Sequence, residues 1–247
     1  MTELYYKWFE VVRCTTPSLI EEAQKLRYQV YCVETGFEDP AANPDGLERD
    51  DADAHAIHSI LVHKPSGLVA GTVRLILPNE DSPDLGLAAR HVSPVLQQMD
   101  ESELPRARTA EISRFSISKA FRKRVEDTLY PAGVEDMSEP DWLGRRALPS
   151  ITLGLMRAIV AMTREADMSH VVAVVEPALV RLLFRMGINF SRTGERVSYH
   201  GERYPVYRKM TDLLDEIFVR HPEIWHVITE GGKVWPLGGF EPRMLRA

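Results

Sequence analysis

The spacing of apolar and polar residues changes along this chain, and each change predicts a new structural element. The segment from Tyr5 to Val12 predicts a first strand. A helix is predicted to begin at Thr16-Pro17, where a capping hydroxyl and a proline precede two glutamates. Apolar residues then recur at helical spacing, which puts Arg27 on or beside the apolar stripe of this helix.

The middle of the chain predicts a hairpin, a single strand and a long helix. Strand-like residues 58–62 and 68–77 flank a turn of Lys, Pro, Ser and Gly. Loop-like sequence with a candidate short helix at 92–99 then leads to a strand at 111–117. A long amphipathic helix is predicted from Pro149 to Ala166.

The last part of the chain predicts a strand, a short helix and a second hairpin. The strand covers 170–175, the helix 178–186, and the hairpin 188–210. A further helix to about Arg220 and an irregular tail follow. This order of elements predicts a mixed α/β (α+β) fold with helices on both faces of a sheet. We expect one domain over 1–247, with an excursion from the core at about 125–147 and a C-terminal extension from about 211.

Composition narrows the functional classes. The chain has 247 residues, of which 44% are apolar and 27% charged, as in ordinary soluble domains. Apolar runs fall short of the ~18 residues of a membrane span, and the first residues form no signal peptide, so we expect a cytoplasmic protein. A net charge of −6 argues against general nucleic-acid binding. Cys14 and Cys32 are expected to be reduced packing thiols.

Several familiar chemistries find little support in the motifs. The acid-rich segment 39–58 fails the calcium-loop pattern, because positions one and twelve would be Ala41 and Ala52, and it matches no strong zinc spacing. A solvated loop with salt bridges is favoured over a metal site there. Nucleophile elbows, P-loops and dinucleotide fingerprints are missing from the sequence. We therefore expect neither a metal nor a bound cofactor.

Six charged residues next to apolar ones are the strongest functional signal. Glu111-Ile112-Ser113-Arg114-Phe115 places an acid and an arginine inside an apolar strand, and burying such charges is costly unless they are paired. Taken singly, each charge is explained by a structural ion pair or a loop cap. Taken together they predict a network or a functional site; the set is Arg27, Asp50, Asp53, Arg74, Glu111 and Arg114.

The spacing of these residues resembles that of the acyl-homoserine-lactone (autoinducer) synthases. Those enzymes carry an arginine, two aromatic residues and Glu-x-Asp-x-x-Asp, which here correspond to Arg27, Tyr31, Phe37 and residues 48–53. Gly71-Thr72-Val73-Arg74-Leu75 looks like the family's Gly-x-x-Arg-Leu strand, and residues 111–117 like its Glu-x-Ser-Arg-Phe-x-Val strand. In length and in the residues of its motifs the chain looks closer to acyltransferases of exosortase/PEP-CTERM systems, which resemble N-acyl amino acid synthases.

The resemblance implies a GNAT-like acyltransferase fold, with a mostly antiparallel sheet whose strands 4 and 5 splay apart to admit a thioester. It also implies transfer of a fatty acyl group from acyl carrier protein, or acyl-CoA, to the amine of an amino acid or a related small acceptor. Two alternatives stay open. One is a lactone synthase that uses S-adenosylmethionine, and the other is a catalytically silent GNAT-like binding module.

The segment after the fourth strand bears on the acyl donor. Acetyl-CoA enzymes of the GNAT type have a glycine-rich pyrophosphate loop there, whereas this chain has a basic segment without glycine. Such a segment suits docking of the acidic acyl carrier protein, although a solvated basic turn is the alternative. The residues assigned to this docking surface are Lys119, Arg122, Lys123 and Arg124.

The resemblance also suggests individual roles. Glu111 would take the proton of the acceptor ammonium, while Ser113 and Arg114 would position Glu111 or the acyl carbonyl. Backbone N–H groups of residues 115–117 would stabilise the oxyanion. The acyl chain would lie among Leu153, Met156, Ile159 and Val172. The substrate-binding set, including arginines that order the loop or clamp an acceptor carboxylate, is Arg27, Tyr31, Phe37, Asp50, Asp53, Arg74 and Phe115.

Overall fold

A computed structural model describes residues 2–79, 87–119, 121 and 141–237. Its centre is a largely antiparallel sheet of eight strands. The strands are β1 Phe9–Arg13, β2 Ala56–His63, β3 Leu68–Ile76, β4 Thr109–Ile117, β5 His170–Val175, β6 Ser191–Arg192, β7 Val197–Ser198 and β8 Glu202–Lys209. The spatial order is β1-β2-β3-β4-β5-β8-β6, with β7 paired to β8.

Helices and single turns connect these strands. The α-helices are α1 Thr2–Trp8, α2 Pro17–Tyr28, α3 Ala88–Val92, α4 Pro94–Gln98, α5 Asp141–Glu165, α6 Pro177–Arg185, α7 Met210–Arg220 and α8 Pro222–Ile228. A π-helical segment, Gln29–Glu34, continues α2. Short 3-10 turns cover Pro40–Ala42, Asp51–His55 and Arg106–Arg108. At the start of α2 the Thr16 hydroxyl accepts a hydrogen bond from Leu19 N, as the sequence predicted.

Strands β4 and β5 form the one parallel pair among the described strand pairings, and they stay together only briefly. Their register runs from Thr109 opposite His170 to Ile112 opposite Ala173. Beyond these four residue pairs β4 continues to Ile117 and β5 to Val175 without pairing to each other. The predicted splay between the fourth and fifth strands is therefore present, and it opens a gap in the middle of the sheet.

Helices cover both faces of the sheet, as predicted. Neighbouring side chains of β2 point to opposite faces and pack against different helices. Leu61 is fully buried in the main core together with residues of α5. Its neighbour Ile60 points to the opposite face and packs with Ala23 of α2. Gly154 allows α5 to approach β2 closely, because a Cβ there would lie 2.6 Å from a methyl group of Leu61 and 2.8 Å from the Tyr5 hydroxyl.

Two local predictions, one at each end of the chain, are wrong. The predicted strand Tyr5–Val12 is a helix up to Trp8 and a strand from Phe9. The C-terminal tail is not irregular after Arg220, because α8 follows and buries Trp225 and Ile228. Tyr6 donates a hydrogen bond to the carbonyl of Val227, which joins α1 to α8. Packing between the two ends of the chain outweighs local strand propensity.

The long helix also begins earlier than predicted. Helix α5 starts at Asp141 rather than at Pro149, and Pro149 lies inside it. The end of the predicted excursion 125–147 is thus part of a helix, whereas residues 125–140 fall outside the described residues. The other predicted helices and both hairpins are confirmed to within a few residues.

Candidate active site

A β-bulge in β4 turns the Arg114 side chain toward the loop before β2. Thr72 of β3 pairs with Ser116, and Arg74 pairs with Ser113, so β4 uses one residue more than β3 over this step. Arg114 has a φ of 49°, in the left-handed region that non-glycine residues seldom occupy. A bulge next to a gap in the sheet is typical of sites where a side chain must be aimed away from the regular strand direction.

Three arginines and three acids form one largely buried network. Arg27, which is fully buried, donates from Nε to Glu48 and from both terminal nitrogens to Asp53 at 2.8 and 3.1 Å. Arg74 donates to Asp50 and to Asp53, and its Nε donates to the Ser113 hydroxyl at 2.9 Å.

Arg114 completes the network from the other side. It donates to Glu48 from Nε and Nη2, the latter at 2.7 Å, and to Asp50 at 2.9 Å. Its guanidinium lies 5.2 Å from the centre of the Tyr31 ring, in cation–π contact. With three charges of each sign, the network is neutral as a whole, which is the arrangement that makes buried charges tolerable.

The pKa shifts follow from these contacts. Burial alone would raise the pKa of the Glu48 carboxyl, but hydrogen bonds from Arg114 and Arg27 outweigh it and lower the pKa. The pKa of Asp53 is lowered for the same reason by Arg27 and Arg74. Burial lowers the pKa of His58, beside Asp53, to about 4, so this imidazole is neutral at pH 7. The pKa of Asp50 is lowered as well, so the three acids of the network are ionised at neutral pH.

Glu111 stands apart from the network and behaves differently. Its side chain is buried, and Oε2 accepts a hydrogen bond from Ala89 N at 3.1 Å. Burial raises the pKa of this carboxyl to about 8, and the hydrogen bond from Ala89 and the charges of Arg74 and Arg114 offset the effect only in part. A carboxyl that titrates near neutral pH inside a cavity has the property expected of a general acid or base.

The gap between β4 and β5 opens into a cavity of about 900 Å³. Polar residues in its wall include Glu111, Ser113, Arg114 and Asp50. Apolar residues in its wall come from α5, β5 and α6 and include Met156, Ile159, Ala173, Leu179, Leu182 and Leu183. A buried carboxyl in a cavity with so many apolar lining residues fits a polar reaction on a substrate that also carries a long apolar group.

Comparisons with known proteins agree with this geometry. Residues 26–130 match the model of the Acetyltransferase (GNAT) domain. Over this segment the chain is similar to GNAT acetyltransferases. No curated protein sequence matches the chain significantly.

Solved structures of the same fold match most of this chain. TofI, solved in a ternary complex with an inhibitor and MTA, is 19% identical over 85% of this chain and 96% of its own, with a TM-score of 0.55. BjaI, a CoA-dependent acyl-homoserine lactone synthase, is 16% identical over 96% and 95%, with a TM-score of 0.56. FeeM, an N-acyl amino acid synthase from uncultured soil microbes, is 13% identical over 86% and 96%, with a TM-score of 0.51. The predicted GNAT-like fold is thereby confirmed.

Most residues predicted for the site of this protein do come together. Tyr31, Phe37 and Phe115 line the cavity, as do Asp50 and Arg74. Arg27 and Asp53 lie behind them and contact the cavity only through the network. In the acyl region Met156 and Ile159 line the cavity, whereas Leu153 packs into the main core and Val172 into a small cluster with Leu96.

One predicted role does not fit this geometry. Arg27 and Arg74 were candidates to clamp the carboxylate of an acceptor. Each already makes two parallel hydrogen bonds to a carboxylate of the chain itself, Arg27 to Asp53 and Arg74 to Asp50. Their bidentate capacity is used within the protein, so they act on the site by holding the loop in place.

Several residues of the site were not predicted from the sequence. Glu48 contacts two arginines and is the first acid of the Glu-x-Asp-x-x-Asp motif, so the motif itself was the available signal. Tyr199, in the turn before β8, reaches the cavity near Glu111. Arg203 stacks on Phe37 at 5.3 Å and pairs with Glu176 at 3.0 Å, which joins the N-terminal loop to the end of β5. Nothing in the local sequence marks these last contacts.

The predicted docking surface is described only in part. Lys119 lies at the cavity and its side chain contacts the carbonyl of Glu34, whereas Arg122, Lys123 and Arg124 lie outside the described residues. Two exposed arginines of α6, Arg181 and Arg185, stand at the same cavity. Among the described residues no group of three or more His, Cys, Asp or Glu is arranged to hold a metal ion. Within 2–79, 87–119 and 141–237, the helices are too short or too polar to cross a bilayer.

Proposed function

We propose that this protein is an N-acyltransferase that moves a fatty acyl group from acyl carrier protein, or acyl-CoA, to the amine of an amino acid or a related acceptor. The observation that carries the proposal is the buried Glu111 carboxyl, with its pKa of about 8, in the wall of a cavity that apolar residues of α5, β5 and α6 also line. An amine acceptor needs a base that removes one proton, and a fatty chain needs an apolar pocket.

The acceptor would approach as an ammonium ion. The carboxylates of Asp50 and Glu38 line the cavity and are partly exposed, so they favour a positively charged group there. An ammonium beside Glu111 favours the ionised carboxylate and lowers its pKa, which prepares Glu111 to accept a proton directly or through one water. The hydrogen bond from Ala89 N to Oε2 leaves Oε1 available for that proton.

Acyl transfer then proceeds by addition and elimination. The neutral amine attacks the thioester carbonyl, the new N–C bond forms, and the charge on the oxygen is stabilised by backbone N–H groups at the bulge around Phe115. The C–S bond breaks, the second amine proton leaves with the thiol, and Glu111 returns its proton to solvent. Ser113 and Arg114 hold the bulge in place through Arg74 and the acids of the loop.

The donor is proposed to be acyl carrier protein, with acyl-CoA as the alternative. Lys119 follows β4 directly, and Arg181 and Arg185 project from α6 beside the same cavity. Together they place positive charge on both sides of the gap through which a pantetheine arm would enter, and acyl carrier protein is strongly acidic. A role in an exosortase/PEP-CTERM system and a cytoplasmic location stay predictions from the resemblance and the sequence.

A lactone synthase that uses S-adenosylmethionine is the second candidate. The structure of BjaI contains S-adenosylmethionine and isopentyl-CoA, and that of TofI contains MTA, while both share this fold. The two candidates differ in their by-product. Release of methylthioadenosine from S-adenosylmethionine by the purified protein would support the lactone synthase and contradict the amino acid acceptor.

The test is mass spectrometry of lipids from cells that overproduce the wild-type chain or its Glu111→Gln variant. We expect N-acylated amino acids with the wild type and their loss with the variant. The variant keeps the shape of the side chain but cannot take a proton, so folding is checked by circular dichroism. Equal lipid profiles for both proteins, together with unchanged acyl transfer in Arg114→Ala, would support a catalytically silent binding module instead.

A further inference from the structure

A pair of buried hydroxyl groups joins the short helices α3 and α4 to the end of the sheet. The Oγ atom of Ser93, the residue between the two helices, lies 2.9 Å from Oγ1 of Thr193, which follows β6. Thr193 Oγ1 donates to the carbonyl of Pro205 on β8 at 3.1 Å, so Ser93 is the donor within the pair. Ser93 Oγ in turn accepts a hydrogen bond from Leu96 N at 3.3 Å. Both hydroxyl protons therefore have a fixed acceptor.

The pair is a specific polar link in apolar surroundings. It joins residues one hundred positions apart in sequence, and both side chains are buried. Ala89 and Leu96, from the two helices, pack beside it into a small apolar cluster with Val172 of β5. A hydrogen bond is stronger in such an environment than in water, and a buried hydroxyl that loses its partner is costly. The link therefore fixes the position of the two helices more tightly than apolar packing alone.

Helix α3 carries the backbone group that binds Glu111. Ala89 N donates to Glu111 Oε2 at 3.1 Å. The helix has only five residues, which is too short to be stable by itself, so its position depends on what anchors it. The bond between Ser93 and Thr193 is a polar anchor at its C-terminal end. The geometry of the Ala89–Glu111 hydrogen bond thus depends on this hydroxyl pair.

The anchor and the carboxyl belong to different halves of the sheet. The spatial order places β6 with β5 and β8 on one side of the gap, and β4 with β1, β2 and β3 on the other. Helix α3 packs on β5 and β8. Glu111 lies on β4, where its pairing with Val172 is the last but one before the two strands separate. Helix α3 is therefore fixed to one half of the sheet and holds a carboxyl of the other half where the gap begins.

Charged and titratable groups of four other segments also act on Glu111. Two guanidinium groups favour its ionised form, whereas a carboxylate opposes it, and a phenol reaches it from the turn before β8. Helix α3 itself carries an arginine and a histidine. These groups are Arg74, Arg114, Asp50, Tyr199, Arg90 and His91. The network bonds of the first three do not involve the hydroxyl pair, so a change in that pair acts on Glu111 through α3.

We propose that Ser93 and Thr193 are positioning residues of the active site, because their hydrogen bond holds α3 where Ala89 N donates to Glu111. This inference rests on the proposed function and deepens it, since it assigns the residues that keep the base of that reaction in place. A hydrogen bond to a carboxylate favours the ionised form. Loss of the hydroxyl link should therefore weaken this bond, raise the pKa of Glu111 and move the onset of acyl transfer to higher pH.

The test follows the titration of the Glu111 carboxyl in the full-length protein by 13C NMR, with Glu111→Gln to assign the resonance. Thr193→Val keeps the shape of the side chain and removes its hydroxyl, so we expect the ionisation constant of Glu111 to fall about threefold to tenfold. Thr193→Ser keeps a hydroxyl and should titrate like the wild type. Thr229→Val is the matched control, because it removes a buried hydroxyl that donates to the carbonyl of Trp225, and it should leave the titration unchanged.

A second variant breaks the link from the other side. Ser93→Ala should shift the titration of Glu111 in the same direction as Thr193→Val, which keeps the test decisive if one of the two variants does not fold. An unchanged Glu111 titration in a folded variant of either residue would overturn the inference. An equal shift in Thr229→Val would overturn it as well, because the effect would then follow from any lost buried hydroxyl.

Titration and turnover separate this inference from the proposed function. The NMR titration needs no substrate, and the pH profile of acyl transfer is measured in parallel by mass spectrometry. A titration that depends on Thr193, without any acyl transfer, would retain the positioning of Glu111 and reject the N-acyltransferase. Acyl transfer with a Glu111 titration that is insensitive to Thr193 would retain the enzyme and reject the positioning role.

Discussion

The protonation of Glu111 should make the free energy of unfolding of this protein depend on pH. The substitution Glu111→Gln should remove this dependence. The folded state holds a proton on Glu111 up to about pH 8, whereas an ordinary glutamate loses it near 4.5. Between about pH 4.5 and pH 8, Glu111 is ionised in the unfolded state but protonated in the folded state. The free energy of unfolding therefore falls as pH rises. At about 1.4 kcal/mol per pH unit, the loss between pH 5 and pH 8 is about 4 kcal/mol.

Glu111→Gln keeps a neutral side chain of similar shape and cannot titrate. We therefore expect the unfolding free energy of the wild type, minus that of the variant, to decrease by about 4 kcal/mol from pH 5 to pH 8. Urea denaturation at four pH values measures both proteins, and the titration of all other groups cancels in the difference. Glu103→Gln, at an exposed glutamate outside the site, serves as the control. If this difference in unfolding free energy stayed constant within about 0.5 kcal/mol from pH 5 to pH 8, the result would refute a buried, protonated Glu111. Such a variation is smaller than the change of about 1.4 kcal/mol that we expect for each pH unit.

Three further predictions address the network, the donor and the chemistry. Arg27→Met removes one of the two guanidinium partners of Glu48 and of Asp53 and leaves the network with one excess negative charge. The unfolding free energy should fall by about 3–5 kcal/mol, whereas the exposed Arg49→Met should cost less than about 1 kcal/mol; equal losses in denaturant titrations would contradict a buried network. The double variant Arg181→Glu/Arg185→Glu should raise KM for acyl carrier protein at least tenfold and leave KM for an acyl pantetheine unchanged, and a parallel rise in both would argue against docking. The kcat/KM of acyl transfer should rise with pH and level off above about pH 8, as Glu111 ionises, and a flat profile from pH 6 to pH 9 would exclude it as the base.

Local signals in the sequence were sufficient to predict most of the fold. The hydroxyl and proline at Thr16-Pro17 fix the start of α2, and turn residues fix the hairpin between β2 and β3. Buried charges at Arg27, Arg74 and Arg114 were equally informative, because an apolar stretch carries a charge only where a partner exists. These arginines do share one network in the structure.

The features that were not predicted depend on contacts between residues that are distant in sequence. The bulge at Arg114 is a mismatch of register between β3 and β4, and neither strand shows it alone. Tyr199 reaches Glu111 from a turn nearly ninety residues later, and α1 is helical because it packs on α8. Spacing rules describe one element at a time, so they miss geometry that arises only when two elements meet. The role of Glu48 was missed for another reason. Its motif was recognised, but the place of a residue in a motif does not show whether its side chain is buried.

The origin of the charges in the network has a consequence for the loop before β2. The arginines come from three separate elements, α2, β3 and β4, whereas the acids Glu48, Asp50 and Asp53 come from one short stretch of chain. Inserting or deleting a single residue within that stretch would displace some acids relative to the others and leave at least one guanidinium facing the wrong group. The length of this segment is therefore constrained as tightly as its composition, which is unusual for a surface connection.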